Sequence, residues 1–354
     1  MLTPGDPAPW FTAASTVNPT FHFHTVAGRY VVLSFFGSLA GAEARRIIGE
    51  MHARLPSLPA GDFAFCGVSI DPGDLQQGRL QQVAPSLLCF WDFQQEISRA
   101  YQATTDSGLD YTAQTIVLDE GLRVLAVFPW KSTSATHVDD LFRFLSELRP
   151  ISAVSSFAPV LVAPGVFEPE FCRQLIDLYE QHGGTDSGFM RDVDGKTVSV
   201  VDYRHKRRSD YEILDQNIVR ACQQRIHRRL VPEIRKAFQF SANRIERHVV
   251  GCYEAETSGH FRPHRDNTTK GTAHRRFAVS LHLNTEEYEG GRLRFPEFGQ
   301  RVYDAPTGGA VVFSCSLLHE ATPVVRGKRY VFLPFLYDDE ASKIRQANLQ
   351  FVAK

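Results

Sequence analysis

The feature that most constrains the fold is a series of short apolar segments in the last third of the chain, separated by glycine pairs. Five β-rich segments follow one another there: 246–253, 276–283, 292–295, 310–315 and 328–337. Glycine turns lie at Gly290-Gly291 and Gly308-Gly309. Many short strands joined by glycine turns are typical of β-sandwiches and barrels. The pattern therefore predicts a sandwich or barrel for this part of the chain.

The first 130 residues have a different pattern, that of an α/β sheet. Short β-rich runs alternate there with stretches of helical character; the runs are 29–36, 63–70 and 115–118. Near Arg149-Pro150 the sequence changes to small residues and proline, a composition that joins domains. Because 354 residues exceed the usual size of one hydrophobic core, we predict two domains, residues 1–150 and 160–354. The boundary is expected between residues 150 and 160.

Two amphipathic helices are predicted between this boundary and the strands. The first begins at Glu168-Pro169 and ends at Gly183-Gly184, since proline favours a helix start and glycine a helix end. The second runs through 213–238 and has a basic face, which we interpret as a solvated surface. The second domain is therefore expected to combine flanking helices with many strands.

Charge and composition exclude several classes of protein. A formal net charge of −1 and a pI near 6.9 give no overall field that would attract DNA or a membrane surface. No apolar run approaches the ~20 residues needed to span a bilayer. The segment from Met1 to Trp10 lacks a basic stretch followed by an apolar one. We therefore expect a cytoplasmic protein with neither a membrane nor a nucleic acid as its partner.

The six cysteines do not form the pattern of a disulfide framework or a zinc knuckle. They are scattered in apolar surroundings without a C-x-x-C pair: Cys66, Cys89, Cys172, Cys222, Cys252 and Cys315. We interpret them as reduced core residues. A redox-sensing thiol is the alternative.

One tripeptide in the strand-rich half has the spacing of metal ligands. His264 and Asp266 are two positions apart, and residues i and i+2 of a strand project from the same face. His319 follows 55 positions after His264, at the end of an apolar strand that a barrel could bring back to the first pair. Two imidazoles and one carboxylate on one side of an ion leave its other side open, as in non-haem Fe(II) sites.

A second copy of the tripeptide provides a control. His137 and Asp139 have the same spacing but open a predicted helix, Val138 to Leu148, where i and i+2 point about 200° apart. Asp139 or Thr136 is there better explained as an N-terminal helix residue favoured by the helix dipole. We predict that this pair does not bind metal.

An arginine stands in an apolar strand ten residues past His319. Burying Arg329 is costly unless an anion pairs with it, and its guanidinium can bind a carboxylate through two parallel hydrogen bonds. The distal carboxylate of 2-oxoglutarate would fit. The alternative is a surface arginine on an edge strand, although Lys328, with the opposite strand parity, is the better candidate for that solvent-facing position.

Together these residues resemble the prolyl-4-hydroxylase-like branch of the 2-oxoglutarate/Fe(II) dioxygenases. The motifs, over roughly residues 160–340, are His-x-Asp (264–266), Leu-x-Leu-Asn (281–284), Gly-Gly-x-Leu-x-Phe (290–295) and His-x-x-x-Pro-Val-x-x-Gly-x-Arg (319–329). The resemblance implies a double-stranded β-helix, or jelly roll, with His264, Asp266 and His319 as iron ligands. It also implies that Arg329 anchors 2-oxoglutarate.

The same resemblance extends to two further residues and to the reaction. Tyr253 lies near the place where this branch carries a tyrosine lining the cosubstrate pocket. His282 occupies a position where some relatives have a tyrosine that binds the distal carboxylate, although a strand histidine is more often a core residue. The implied cofactors are Fe(II), 2-oxoglutarate and O2, with ascorbate in a supporting role. The implied reaction is hydroxylation of an unactivated C–H bond of a peptide, a protein side chain or a small metabolite, with release of succinate and CO2. Asp266 favours hydroxylation over halogenation, since related halogenases lack the carboxylate. The alternative is a catalytically silent binding or scaffold protein.

Residues 1–130 resemble a thioredoxin-fold domain of the peroxiredoxin type. The resemblance lies in three segments: Gly5 to Pro9, Gly28 to Phe36 and Thr115 to Asp119. In peroxiredoxins a proline, a hydroxyl residue and the peroxidatic cysteine follow the central strand, but here those positions fall near Gly37, Gly41 and Ala44. We therefore expect a non-catalytic domain that serves packing, homodimer formation or partner docking. The whole chain is predicted to be an α+β protein with two domains.

Two basic segments are candidates for contact with substrate. Residues 267–276, with Arg262 and Arg265, could bind an acidic substrate or a peptide carboxylate, or could form a solvated loop. Residues 205–210 contain three consecutive basic residues, which we interpret as part of a flexible lid rather than as surface charge.

Overall fold

The computed structural model describes residues 2–105, 107–108, 110–130, 136–153 and 156–352. The chain divides into two compact units, Met1–Ser156 with Pro296–Gln300, and Phe157–Phe295 with Arg301–Lys354. Val154 and Ser155, in the predicted linker, lie outside the described residues. Among the residues described, no helix is both long and apolar enough to cross a membrane.

The first unit contains a five-stranded sheet with helices. Its strands are β1 (Thr12–Ala13), β2 (Phe21–His22), β3 (Tyr30–Gly37), β4 (Phe63–Ser69), β5 (Leu88–Trp91), β6 (Gln114–Leu118) and β7 (Val124–Pro129). Its helices are α1 (Ala42–Arg54), α2 (Pro72–Gln76), α3 (Arg79–Val83), α4 (Glu96–Ala100) and α5 (His137–Ser146). The sheet order is β5-β4-β3-β6-β7. The pairs β3–β4 and β4–β5 are parallel, and the pairs β3–β6 and β6–β7 are antiparallel. The predicted α/β sheet is therefore present.

The central strand β3 is buried along its whole length, which explains its nearly continuous apolar sequence. Val32 and Phe36 project into a core that also contains Ile47 of α1 and Leu141 of α5. The helices thus cover the sheet with the faces that their apolar residues predict.

The second unit is rich in strands. They are β8 (Leu161–Ala163), β9 (Thr185–Asp186), β10 (Phe189–Val193), β11 (Lys196–Val200), β12 (Lys206–Arg207), β13 (Ser209–Glu212), β14 (Arg244–Glu246), β15 (Val249–Glu254), β16 (His260–His264), β17 (Phe277–His282), β18 (Glu289–Gly290), β19 (Leu293–Arg294), β20 (Val302–Tyr303), β21 (Ala310–Ser314), β22 (His319–Ala321), β23 (Val324–Arg326), β24 (Lys328–Phe332) and β25 (Phe335–Tyr337). Its helices are α6 (Pro169–His182), α7 (Gln216–Arg225), α8 (Val231–Phe238) and α9 (Asp339–Asn348).

These strands form two principal sheets. A nine-stranded sheet has the order β14-β25-β17-β24-β15-β13-β9, with β21 pairing with β17 and β8. A five-stranded sheet has the order β12-β16-β22-β19-β20. Tyr253 and Val331 of the larger sheet pack with Phe261 and Ala321 of the smaller one. The two sheets therefore face each other, as the predicted jelly roll requires.

Strand alternation divides the larger sheet into a core face and a site face. Cys252, Leu281 and Tyr330 pack with helices α6, α7 and α8 in the main core of this unit. Their strand neighbours point to the opposite face, toward the smaller sheet; they are Tyr253, Ser280, His282 and Arg329. The polar residues in these apolar strands are thus collected on one face.

Several predicted elements of this unit differ from the structure. The predicted segment 246–253 belongs to two strands, β14 and β15, separated at Arg247 by a left-handed φ of 55°. His319 begins a separate strand, β22, and does not end the predicted strand 310–315. The predicted segment 328–337 is two strands, β24 and β25, because Pro334 lies between them and cannot donate a ladder hydrogen bond. The helix predicted over 213–238 contains a π-helical turn at Ile226–Leu230, just before Pro232. Proline removes a helical hydrogen bond, which is a common cause of such irregularities.

Candidate active site

The structure brings together the two histidines and the carboxylate that the sequence singled out. Strands β16 and β22 pair antiparallel with His264 directly opposite His319. Asp266 lies two residues beyond β16, where its backbone N–H donates to the Cys315 carbonyl at 3.0 Å. One ligand atom from each of the three residues lies within 4.8 Å of the others. Strand pairing therefore builds a cluster that could hold one metal ion.

Hydrogen bonds orient both imidazoles. The Nδ1 atom of His264 lies 2.7 Å from the Arg262 carbonyl, and that of His319 lies 3.0 Å from the Leu317 carbonyl. A carbonyl accepts only from a protonated nitrogen, so each ring carries its proton on Nδ1 and keeps the Nε2 lone pair. The two Nε2 atoms lie 3.7 and 3.3 Å from the Asp266 carboxylate oxygens. The donor set and its tautomers fit an iron ion.

Burial favours the neutral form of His264. It lowers the pKa of His264 well below its usual value, and the nearby His319 lowers that pKa further. The His264 ring also stacks on Phe261, with 3.4 Å between ring centroids. Because metal binding requires unprotonated imidazole nitrogens, this environment prepares the site for a cation.

Arg329 lies on the site face of β24 and is only 1% exposed. Its Nη2 donates to the Ser280 hydroxyl at 3.0 Å, and its guanidinium lies 5.0 Å from the Tyr253 ring centroid. Its buried Nε has no hydrogen-bond partner within the described part of the chain. A buried arginine with an unused donor fits an anionic ligand. The neighbouring Lys328 is exposed and pairs with Glu254, as strand parity predicts.

His282 is fully buried on the same face and has one unused nitrogen. Its Nδ1 lies 3.0 Å from an Asp304 carboxylate oxygen and 3.1 Å from the Tyr288 hydroxyl. Its Nε2 has no partner among the residues that the structure describes. Burial lowers the pKa of His282, which the hydrogen bond to Asp304 partly opposes. No sequence pattern singles out Asp304, whereas Ser280, two positions before His282, shares its strand face.

Tyr253 lies beside Arg329, opposite it in the pairing of β15 with β24. Its hydroxyl accepts a hydrogen bond from Arg208 Nη1 at 3.3 Å. The two guanidiniums of Arg329 and Arg208 lie 5.0 and 5.7 Å from its ring centroid. Tyr253 therefore joins the candidate cosubstrate pocket to the basic segment near residue 206.

Of the three consecutive basic residues in the predicted flexible lid over 205–210, two are buried and the third, Arg207, is half-buried against the Tyr203 ring. Lys206 and Arg208 are 4% and 8% exposed and belong to the paired region of β12 and β13. In the segment 267–276, Arg275 pairs with Glu246 at 2.6 Å, whereas Lys270 lies at the surface over the Phe351 ring. In both segments, 205–210 and 267–276, some basic side chains are therefore buried or paired, and the uniform basic surface that the sequences suggest is not present.

The second His-x-Asp copy is not a ligand pair. His137 is buried on α5, where its Nε2 lies 3.1 Å from the Thr115 hydroxyl. Asp139 is exposed and pairs with Arg54 at 2.6 Å. The two side chains point to opposite sides of the helix, as predicted.

The first unit has no described cysteine at the start of α1, where a peroxidatic thiol would lie. Gly41 is the N-cap of this helix and Ala44 lies in its first turn. Cys66 and Cys89 lie on β4 and β5, and burial raises the pKa of Cys66 to about 12 and that of Cys89 well above its usual value. Neither thiol has the lowered pKa that peroxide reduction requires.

Comparison with known proteins assigns the two parts of the chain separately. Residues 248–337 match the family model of the 2OG-Fe(II) oxygenase superfamily, and residues 4–126 match that of the AhpC/TSA family. A PKHD-type hydroxylase of Synechococcus sp. (strain JA-2-3B'a(2-13)) is 30% identical over 88 residues, which is 23% of this chain and 38% of the relative. PKHD-type hydroxylase NE2125 of Nitrosomonas europaea is 33% identical over 113 residues, 29% of this chain and 49% of the relative. The chain spans less than half the length of these curated relatives.

Solved structures similar to this chain include peroxiredoxins. Peroxidoxin BcpB from Mycobacterium tuberculosis has a TM-score of 0.39 and 16% identity, covering 42% of this chain and 99% of that one. Together, the family matches and the observed folds identify the two parts. The chain joins a thioredoxin-like domain of the AhpC/TSA family to a domain of the 2OG-Fe(II) oxygenase superfamily.

Proposed function

We propose that this chain is an Fe(II)- and 2-oxoglutarate-dependent hydroxylase, similar to prolyl 4-hydroxylases, that acts on a peptide, a protein side chain or a small metabolite. The observation that carries the proposal is the buried Arg329, whose Nε has no partner within the described residues. Arg329 lies on the face of the larger sheet that points toward the smaller sheet, where His264, Asp266 and His319 form the cluster. A cluster of metal ligands and a buried arginine without a carboxylate partner among the described residues together suit a cosubstrate that has two carboxylates.

Each residue has a separate task in this proposal. His264, Asp266 and His319 would hold the iron, and Arg329 would bind the distal carboxylate of 2-oxoglutarate, with Tyr253 and His282 lining the pocket. When bound, the iron supplies O2 activation coupled to decarboxylation of 2-oxoglutarate, yielding succinate, CO2 and a hydroxylated C–H bond. The Asp266 carboxylate would occupy one ligand position of the iron, which favours hydroxylation over halogenation.

Succinate formation tests the proposal. The full chain, incubated with Fe(II), ascorbate and 2-oxoglutarate, should release succinate slowly alone and faster with a suitable substrate. Asp266→Ala should reduce succinate to the level of a metal-free sample, because two imidazoles without a carboxylate bind the ion weakly. Asp139→Ala, in the other copy of the tripeptide, is the matched control and should keep the wild-type rate. If Asp266→Ala is as fast as wild type, the ligand assignment fails.

The rival function is a binding or scaffold protein whose oxygenase domain no longer turns over. The ligand set and the unpaired Arg329 oppose it, because a silent domain has no need of a buried unpaired cation. Wild-type protein that binds 2-oxoglutarate with Mn(II) but never forms succinate would favour this rival.

We further propose that the thioredoxin-like domain is non-catalytic and serves packing, homodimer formation or partner docking. The support is the glycine at position 41 and the alanine at position 44, where a peroxidase carries its functional side chains. Sedimentation of the full chain across a hundredfold range of concentration would test the homodimer, which requires twice the mass of one 39.8 kDa chain at the higher concentrations.

A further inference from the structure

Three basic side chains lie beside the candidate active site, and only one of them is paired with a carboxylate of the described residues. We call Lys206, Arg208 and Arg247 the basic cluster. Arg208 binds both oxygens of Asp210, with Nε–Oδ1 2.6 Å and Nη2–Oδ2 2.7 Å. Lys206 and Arg247 have no carboxylate within 4.0 Å in the ranges that the structure describes. At direct contact distance the three cations of the cluster therefore have one carboxylate partner, whereas Glu246 and Asp266 act on Arg247 and Lys206 from farther away.

Lys206 connects the basic cluster to the metal side of the site. Its Nζ donates to the Ser187 hydroxyl at 2.7 Å and to the Gly188 carbonyl at 2.6 Å, both uncharged acceptors. The ammonium lies 4.9 Å from the centroid of the Phe261 ring, on which His264 stacks. Burial lowers the pKa of Lys206 well below its usual value, and Arg208 lowers that pKa further. A buried ammonium without an anion is costly, so an anionic ligand would be stabilised there.

Arg247 is held at the cluster by an unusual backbone conformation. Its φ of 55° lies in the left-handed region, which costs about 1–3 kcal/mol for a non-glycine residue and is concentrated at functional sites. Its Nε donates to the Leu333 carbonyl at 2.9 Å, and its guanidinium lies 4.4 Å from the centroid of the Phe335 ring. Its two Nη atoms have no acceptor among the described residues. They are available for the bidentate binding of an anion.

The cosubstrate does not account for the basic cluster. In the proposed function, Arg329 would bind one carboxylate of 2-oxoglutarate and the iron would bind the other. The Tyr253 side chain lies between the two regions: its hydroxyl accepts from Arg208 Nη1, and its ring centroid lies 5.0 Å from the Arg329 guanidinium. The basic cluster is therefore a second cationic region, between Phe261 on the metal side and Tyr253 on the cosubstrate side.

We propose that the basic cluster binds an anionic group of the substrate, a carboxylate or a phosphate, so that the enzyme acts on an acidic substrate. This inference rests on the proposed function, since it places the substrate at the same iron centre. Lys206 and Arg247 supply the charge, Arg247 also supplies two parallel donors, and Arg208 with Asp210 fixes the spacing between them. The anion fixes which carbon of the substrate is presented to the iron.

Relaxation of small anions by bound Mn(II) tests this site without knowledge of the substrate. Mn(II) binds oxygen and nitrogen ligands of this kind and is paramagnetic, so it speeds the nuclear relaxation of molecules bound nearby. The full chain is loaded with Mn(II) and saturating 2-oxoglutarate, and acetate, inorganic phosphate and neutral acetamide are added in turn. We expect faster relaxation of the acetate methyl protons or of the phosphate phosphorus, and little effect on acetamide. The anion with the stronger effect distinguishes a carboxylate site from a phosphate site.

Variants decide whether the basic cluster is responsible. Lys206→Met and Arg247→Met should each reduce the relaxation effect at least fivefold, and Arg247→Met covers the case in which the more deeply buried Lys206→Met does not fold. Lys270→Met, which removes an exposed lysine over Phe351, is the matched control and should leave the effect unchanged. Equal relaxation of acetate and acetamide, or full effects in Arg247→Met, would overturn the inference. Failure of Mn(II) to relax the methylene protons of 2-oxoglutarate would instead overturn the proposed function.

Discussion

At the scale of single residues, the site is defined by polar atoms that remain without a partner. His264 and His319 each use Nδ1 for a backbone carbonyl and keep Nε2 available. The histidine of the second tripeptide copy, His137, uses its Nε2 for Thr115. Arg329 and His282 each bury one nitrogen that no described residue contacts. Identical residue types thus differ in function because of which atoms the fold leaves free.

Replacement of the buried arginine should weaken cosubstrate binding selectively. We expect Arg329→Ala to raise the 2-oxoglutarate concentration for half-maximal succinate formation at least tenfold, which corresponds to about 1.4 kcal/mol or more. Arg329→Lys should recover part of that loss, because an ammonium supplies charge without the two parallel donors. Lys328→Ala, which removes the exposed neighbour paired with Glu254, should leave the requirement within a factor of two. An unchanged requirement in Arg329→Ala would remove this residue from the pocket.

The buried histidine should make cosubstrate affinity depend on pH. Burial lowers the pKa of His282, so near pH 7 the free protein carries a neutral ring with its proton on Nδ1, facing Asp304. A carboxylate bound at Nε2 requires a proton there, and the charges of that carboxylate and Asp304 together raise the pKa of the ring. Between the lower free pKa and the higher bound pKa, binding therefore takes up a proton. Affinity should fall as pH rises through this window, by up to tenfold per unit.

Calorimetry measures this proton directly. Titration of the Mn(II)-loaded protein with 2-oxoglutarate, in two buffers with different heats of ionisation, gives the number of protons taken up. His282→Gln should reduce that number and flatten the pH dependence, whereas Asp304→Asn should lower the pH at which uptake ends. The same affinity from pH 6.5 to 8.5 in the wild type would contradict the contact between His282 and the cosubstrate.

At the scale of elements, the hairpin of β10 and β11 is fastened to the segment that follows the metal ligands. Thr197 of β11 donates to Asp192 of β10 at 2.5 Å and accepts from the backbone N–H of Gly271 at 2.9 Å. Asp192 also accepts from the backbone N–H of Lys270. The Thr197 side chain is buried, so these bonds are protected from water. The hairpin therefore orders residues 270–272, part of a loop that its sequence suggests is solvated.

Removal of the Thr197 hydroxyl should loosen this connection locally. Thr197→Val keeps the shape of the side chain but leaves the Gly271 N–H and the Asp192 carboxylate without that partner, at a cost of about 1–3 kcal/mol. Hydrogen exchange should become faster at Gly271 and remain unchanged in β17 and β24. Ser199→Ala, which removes an exposed hydroxyl from the same strand, is the matched control. Equal exchange at Gly271 in both variants would show that the hairpin does not order this loop.

At the scale of the whole molecule, the sequence predicts those features that depend on alternation between neighbouring strand residues. The strand parity that buries Arg329 and exposes Lys328 is visible in the sequence, because period two needs only neighbouring residues. The short strands between residues 185 and 212 are not predicted, since they are two to five residues long and several depend on partners distant in the sequence. The burial of Lys206 could not be predicted from the sequence for a similar reason. Consecutive basic residues suggest a solvated surface, and only tertiary pairing reverses this interpretation.

The contact of His282 with Asp304 also illustrates this limit. The carboxylate comes from a segment 22 positions later in the chain, and no periodicity relates the two residues. The metal ligands could be predicted because His264 and Asp266 are two positions apart, at and just beyond the end of one strand, and His319 follows in a recognisable motif. Sites assembled from one strand face can therefore be predicted from sequence, whereas partners supplied by distant loops require the structure.

The burial of all six cysteines leads to a prediction that covers both domains. Burial raises the pKa of four of the thiols to about 12 and that of the other two well above the usual value; the four are Cys66, Cys172, Cys222 and Cys252. Only the thiolate attacks a disulfide reagent, so fewer than one thiol per chain should react with an aromatic disulfide at pH 8 within an hour. All six should react in denaturant.

Gly41→Cys provides the matched positive control for this measurement. Gly41 is the exposed N-cap of α1 and has an ordinary φ of −73°, so a cysteine fits there without backbone strain. The helix dipole lowers the pKa of a thiol at this position, and we expect one additional thiol to react within minutes. Rapid reaction of any wild-type cysteine would contradict the burial of these thiols. It would also reopen the alternative of a redox-sensing thiol, because such a sensor needs an accessible thiolate.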